Sequence, residues 1–316
     1  MCAPARRRSV AFWSRNGLPA LAIVSACGLG LAGCAPARIA PDAHVPPFAT
    51  KPYEPFSTTS VVSIALREWR LWGQLVDDDP PGSRPPPAPD EKPERQSGYW
   101  QRVGEYWWLG LDAGSPESGW TGKHDAGGRV FPASRDGAFA WSAAFVSYVM
   151  RIAGAGPYFP YAADHAAYIN AAARMTGNAS TRWVVNAKRP EAYAPRPGDL
   201  ICVGRGPAAT MRFDDLPTGD PFPAHCDIVV SLPIAGQISV VGGNVGDAVT
   251  LKHVPVTAEG RLATPDGLVL DTRYPWFVVL RVIPLAPQPV AWNRPHAPAR
   301  PVARQDGTRL IDLNAG

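Results

Sequence analysis

Three short stretches of this sequence bring together residue types that do chemistry. One is Ala140-Trp141-Ser142-Ala143-Ala144-Phe145-Val146-Ser147-Tyr148. A second is Pro197-Gly198-Asp199-Leu200, followed by Ala224-His225-Cys226-Asp227-Ile228-Val229-Val230. The third is Val240-Val241-Gly242-Gly243-Asn244-Val245-Gly246-Asp247-Ala248-Val249. If the last two strands form a hairpin about a turn at Ile234-Ala235, Val230 faces Ser239 and His225 faces Asn244. A bulge at the Gly242-Gly243 pair shifts that register by one residue. A carboxamide that accepts a hydrogen bond from one imidazole nitrogen fixes the tautomer. The other nitrogen is then free to take a proton from a nucleophile. The plainer alternative is a rim histidine satisfied by backbone and an asparagine serving as a turn residue.

Other reactive residues fit less well. Cys226 is adjacent to His225, and neighbours on a strand point to opposite faces, so it is a poor nucleophile for that histidine. His165 and Tyr168 lie in a segment placed to cross a cleft and line a substrate site; the alternative is a surface histidine on a helix. A zinc site from His165, His225 and Asp227 lacks a further strong ligand, and no metal-type spacing occurs, so neither metal nor cofactor is expected. Asp247 and Asp271 sit at glycines or turns and read as turn residues.

The elements that position these residues follow from periodicity. Val61, Val62, Ala65, Trp69 and Trp72 recur at helical spacing over 59–76. Tyr99, Trp100, Val103, Tyr106, Trp107 and Trp108 do so over 98–109, and a third helix runs over 141–152 to Gly154. The aromatic face of the second helix reads as core rather than as a stacking platform. Between the first two helices lies an insert, 80–96, crowded with prolines and expected to be an exposed loop. After the third helix come short apolar runs at 200–203, 228–232, 238–241, 249–254 and 276–283, which read as an antiparallel meander. Helices first and strands second predict an α+β domain.

The chain has 316 residues, and 36 of them are proline, which excludes a bundle of long helices. The net charge of +4 is carried by Arg6, Arg7, Arg8 and Arg15, so the rest is neutral and offers no electrostatic footprint for nucleic acid. Those arginines precede an apolar stretch from Leu18 to Leu31 that is too short for a comfortable spanning helix. It ends in Leu31-Ala32-Gly33-Cys34, which resembles the lipobox of bacterial lipoproteins. That resemblance implies removal of a signal peptide (1–33), acylation of Cys34, and a Pro-rich tether (34–57) that holds a domain (58–283) off the membrane. Ala35 favours the outer membrane, with the body in the periplasm. In that oxidising compartment Cys202 and Cys226 form a disulfide or remain two buried thiols. A Pro/Ala/Arg-rich tail (284–316) closes the chain.

The three chemical stretches resemble the NlpC-type and CHAP papain-like peptidoglycan hydrolases. There a Trp-Cys-Ala-Ala-Phe-Val helix start is followed by a Pro-Gly-Asp-Leu strand, a His-x-Gly-Ile-Val strand and a Gly-Gly-Asn turn. The match is closest to the bacterial family called domain of unknown function 2272, over roughly residues 60–283. The resemblance implies a papain-like α+β fold, hydrolysis of cell-wall peptide amides, and a site with Ser142 as nucleophile, His225 as base and Asn244 as orienter. Trp141, His165 and Tyr168 would line the substrate site, with peptidoglycan or its peptides as partner. Ser142 stands where those enzymes carry cysteine. A helix N-terminus lowers a thiol's pKa into a useful range, whereas an alcohol needs concerted proton removal and an oxyanion hole. Two readings therefore remain open: a working serine, and a silent site kept for binding peptidoglycan or an envelope protein, with Ser142 as an N-cap.

Overall fold

The structure, a computed structural model, describes residues 54–132, 138–175 and 183–285. These belong to one compact unit. The signal peptide, Cys34, most of the tether, and the tail beyond residue 285 lie outside the described residues. Four α-helices and a six-stranded antiparallel sheet are present among the described residues, so the fold is α+β. The helices are α1 (Thr58–Leu71), α2 (Tyr99–Gly110), α3 (Ser142–Ile152) and α4 (His165–Met175). The strands are β1 (Val185–Lys188), β2 (Leu200–Gly204), β3 (Ala224–Val229), β4 (Gln237–Val245), β5 (Ala248–Pro255) and β6 (Trp276–Val282), in the sheet order β1-β6-β2-β3-β4-β5. Strands β2 to β5 are the expected meander. The return of β6 to the far side of β2, and α4 and β1, were not legible in the apolar pattern.

Helix α1 starts at Ser57, whose Oγ accepts the Ser60 amide at 3.1 Å. It ends five residues before the periodicity suggests. Gly73 and Gln74 take φ of 87° and 60° and turn the chain, so that Val76 bridges Leu251 and covers the open edge of β5. The buried stripe of α1 includes Glu68, a charge within an apolar face. It accepts hydrogen bonds from Arg102 (Nε, 2.7 Å), Tyr106 (2.8 Å) and Tyr148 (3.2 Å), which ties α1 to α2 and α3. The aromatic face of α2 is core: Tyr106 and Trp107 are buried. At Gly110 a Cβ would lie 2.5 Å from the Ala144 carbonyl oxygen, so α2 and α3 touch backbone to backbone.

The sheet is buried on both sides, and side-chain alternation sorts its residues. Leu200, Cys202, Cys226, Ile228 and Val241 meet the helices. Ile201, Val203, Val229, Val240 and Trp276 meet a second core, closed by Val256, Leu262 and Tyr274 from the segment after β5. The Pro-Gly-Asp-Leu stretch locks this arrangement. Asp199 is buried and accepts from the Val282 amide (2.8 Å), the Arg196 amide (2.8 Å) and the Tyr193 hydroxyl (3.0 Å). Gly198, at φ 97°, leaves no room for a Cβ beside Thr58.

The structure modifies two expected boundaries. The insert is exposed from Pro80 to Glu91, but Glu94 and Arg95 are buried, and Glu94 accepts from the Trp141 indole at 2.6 Å. The last residues of the expected tether are also part of the domain: Phe56 is buried in the core and its carbonyl accepts from the Leu285 amide at 3.2 Å.

Candidate functional site

Ser142 is the first residue of α3, where amides not yet used by the helix point outward. Its Oγ lies 2.7 Å from Nε2 of His165, the first residue of α4. One turn along α4, the Tyr168 hydroxyl hydrogen-bonds His165 Nδ1. His165 and Tyr168 are buried. Burial, aided by His225, holds the His165 pKa well below its ordinary value, so the ring is neutral. Burial also pushes the Tyr168 phenol well up, so it keeps its proton. With the His165 proton on Nδ1 and donated to Tyr168, Nε2 can accept from Ser142.

His225 lies beside this pair, its ring centroid 5.4 Å from that of His165, but its hydrogen bond runs elsewhere. Its Nε2 is 2.8 Å from Oδ1 of Asp227, two residues on along the same face of β3. The other oxygen of Asp227 pairs with Lys252 Nζ at 2.5 Å, and both side chains are fully buried. Burial alone would raise the Asp227 pKa. The charge of Lys252 and the contact with His225 outweigh it and hold the carboxylate ionised. Burial pushes His225 down to about 4, against the pull of Asp227. The ring is therefore neutral at pH 7, with its proton on Nε2 toward Asp227. Lys252 also lies 4.7 Å from the Tyr274 ring centroid, which adds a cation–π contact.

Asn244 does not orient His225. The hairpin does hold the expected register, with Ile228 opposite Val241, Val229 opposite Val240, and the Val230 amide 2.9 Å from the Ser239 carbonyl oxygen. No β3–β4 pair is formed beyond Val241, and a bulge between Gly242 and Val245 in the β4–β5 ladder leaves Asn244 at φ 56°. The glycines there are required by contact. A Cβ on Gly242 would fall 1.9 Å from Asp227 Oδ1, and one on Gly243 would fall 2.6 Å from Phe145. Trp141, expected to line the substrate site, lies in the core and stacks on Trp72 at 5.5 Å. Tyr168 serves His165 rather than an open surface. Cys226 faces away from His225, and a disulfide joins it to its cross-strand partner Cys202 (S–S 2.09 Å).

The chain thus brings Ser142, His165, Tyr168, His225, Asp227 and Lys252 together, and the Asn244 side chain bonds none of them. The i, i+2 spacing of His225 and Asp227, and a lysine inside the apolar run 249–254, were the signals of the buried ion pair. Nothing in the spacing joined Ser142 to His165, since that contact bridges two helices 23 residues apart. No helix among the described residues is long and apolar enough to cross a membrane.

No curated protein and no solved structure matches this chain. A family model matches residues 94–282, which span every site residue named above, and the chain belongs to that family, described as an uncharacterized protein conserved in bacteria (DUF2272).

Proposed function

We propose that the chain is a lipid-anchored envelope protein whose papain-like domain hydrolyses amide bonds in cell-wall peptides. The observation that carries this reading is Ser142 Oγ at 2.7 Å from the neutral imidazole of His165, at a helix N-terminus. In the step proposed, Ser142 Oγ attacks the amide carbonyl carbon and its proton passes to His165 Nε2. The imidazolium then returns that proton to the leaving amine as the C–N bond breaks, and water releases the acyl group by the same route. His225, held through Asp227 with Nδ1 unpaired, is a second neutral imidazole, its ring centroid 5.4 Å from that of His165. A helix that presents its first residue to histidines of a packed antiparallel sheet and a neighbouring helix supports the papain-like assignment. Arg6 to Cys34 support the outer-membrane anchor and the periplasmic setting.

One observation favours a binding domain without turnover. Ser142, His165 and His225 are only 7%, 4% and 2% exposed, so a carbonyl reaches Oγ only if the cover over the site moves. Incubation of the purified full chain with muropeptides, read by mass spectrometry, separates the two. Hydrolysis lost in Ser142→Ala and in His165→Ala supports the enzyme. Hydrolysis that survives Ser142→Ala eliminates the nucleophile assignment. Hydrolysis seen only in Ser142→Cys points to a scaffold retained for binding.

A further inference from the structure

A groove of about 370 Å³ lies between the prolines of the insert (80–87) and the bulge at the end of β4. Its polar lining divides into satisfied and unsatisfied groups. Asp77 is paired with Arg84, and Asp247 with Lys92 at 3.1 Å. Arg205, just beyond the end of β2, is exposed; its backbone bonds Pro223 and Ala208, but its guanidinium makes neither hydrogen bond nor ion pair. Asn244 makes none with its side chain, although the bulge holds it in a left-handed backbone conformation. Tyr274 is only 7% exposed and its hydroxyl has no partner. The Tyr274 ring packs in the second core, and its hydroxyl at the groove bonds no protein group. Beside the exposed Ser83 hydroxyl, the unpaired groups are a permanent cation, a carboxamide and a hydroxyl. That set matches a carboxylate followed by a peptide amide: the guanidinium takes the two carboxylate oxygens, and the other two bond the adjoining amide. The prolines opposite supply a rigid apolar wall.

We propose that this groove binds the free C-terminal carboxylate of a short peptide, with Arg205 as its charge partner and Asn244 and Tyr274 as hydrogen-bonding partners. The choice of a peptide as ligand rests on the cell-wall peptide reading; the carboxylate rests on the groove alone. The groove adjoins the candidate site through Arg205, whose charge acts on both His225 and His165.

The test uses the purified full chain carrying Ser142→Ala, so that turnover cannot remove the ligand. Binding of N-acetyl-trialanine and of its C-terminal amide is measured by calorimetry and by chemical-shift perturbation. The acid should bind at least tenfold more tightly than the amide. Arg205→Ala should abolish that preference and Arg205→Lys should keep part of it, since a lysine retains the charge but not the fork. Asn244→Ala and Tyr274→Phe should each weaken the acid severalfold, and the shifts should fall on residues 80–87, 205 and 244. Equal binding of acid and amide, binding of neither, or full preference in Arg205→Ala would overturn the proposal. Hydrolysis of muropeptides by the unmodified chain is a separate measurement. Carboxylate binding without hydrolysis sinks the enzyme reading alone, and hydrolysis without carboxylate preference sinks this one alone.

Discussion

Asp227 carries more of the site than its place in the sequence suggests. It holds His225 at 2.8 Å and neutralises a fully buried lysine. Asp227→Asn removes the charge but not the volume, and leaves Lys252 uncompensated in the interior. Breaking a buried pair from one side costs about 3–5 kcal/mol. The expected result is a large fall in denaturation midpoint, together with loss of any hydrolytic activity that depends on His225. Asn244→Ala should lower the midpoint far less, by the equivalent of about 1 kcal/mol, because its side chain bonds nothing in the fold and only the left-handed backbone favours asparagine. Equal midpoints for the two variants would show that the ion pair contributes little.

The same residues set a pH dependence. His225 has a folded pKa of about 4, below the ordinary value near 6.5, and that of His165 is displaced in the same direction. Between those limits the unfolded chain binds a proton that the folded chain does not, so stability falls as pH falls. The contribution is complete above about pH 6.5 and is lost progressively toward pH 4. For His225 alone it is on the order of 3 kcal/mol. Denaturant titrations at pH 7.5, 6.0 and 4.5 should show this loss, and His225→Gln should flatten the part due to that ring. A flat profile in the unmodified chain would contradict the buried neutral imidazoles.

Among the elements, contact between α3 and its neighbours decides where Ser142 sits. Gly110 of α2 and Gly243 of β4 both touch α3 where no methyl fits. Gly110→Ala and Gly243→Ala should each destabilise by about 1–3 kcal/mol through overpacking. They should also reduce site function beyond that loss, because both push α3 away from the sheet. Thermal melts paired with the binding or hydrolysis assay check this. Gly73→Ala, with open space at the Cβ but φ of 87°, should cost stability without touching the site. The insert behaves as two pieces. Limited proteolysis should cut within 80–91, where every residue is exposed, and spare 93–95, where Glu94 and Arg95 are buried.

For the whole molecule, the anchor is the first question. If Cys34 is acylated, Cys34→Ala should release the protein from the membrane fraction or leave it unprocessed. Unchanged partitioning with the outer membrane would remove the anchor from the proposal. The two-sided burial of the sheet also bears on stability. The helices cover one face and the segment after β5 covers the other, so Leu262→Ala, far in sequence from α3, should cost roughly 2–5 kcal/mol.

Periodicity in the sequence determined the α+β class, three of the four helices and most of the meander, because apolar spacing is a local property of the chain. It also determined the register of the β3–β4 hairpin, since the turn and the alternation leave few ways to pair. Tertiary structure alone decided the site. A bulge of a few residues left Asn244 without a bond to His225, which Asp227 holds instead, and the packing of α4 against β1 and β3 delivered His165 to Ser142. Both outcomes depend on close fits, Gly242 against Asp227 and Gly243 against Phe145, between residues far apart in the chain. Hydrophobic patterning records which face a residue turns to the core, not which polar group it meets there.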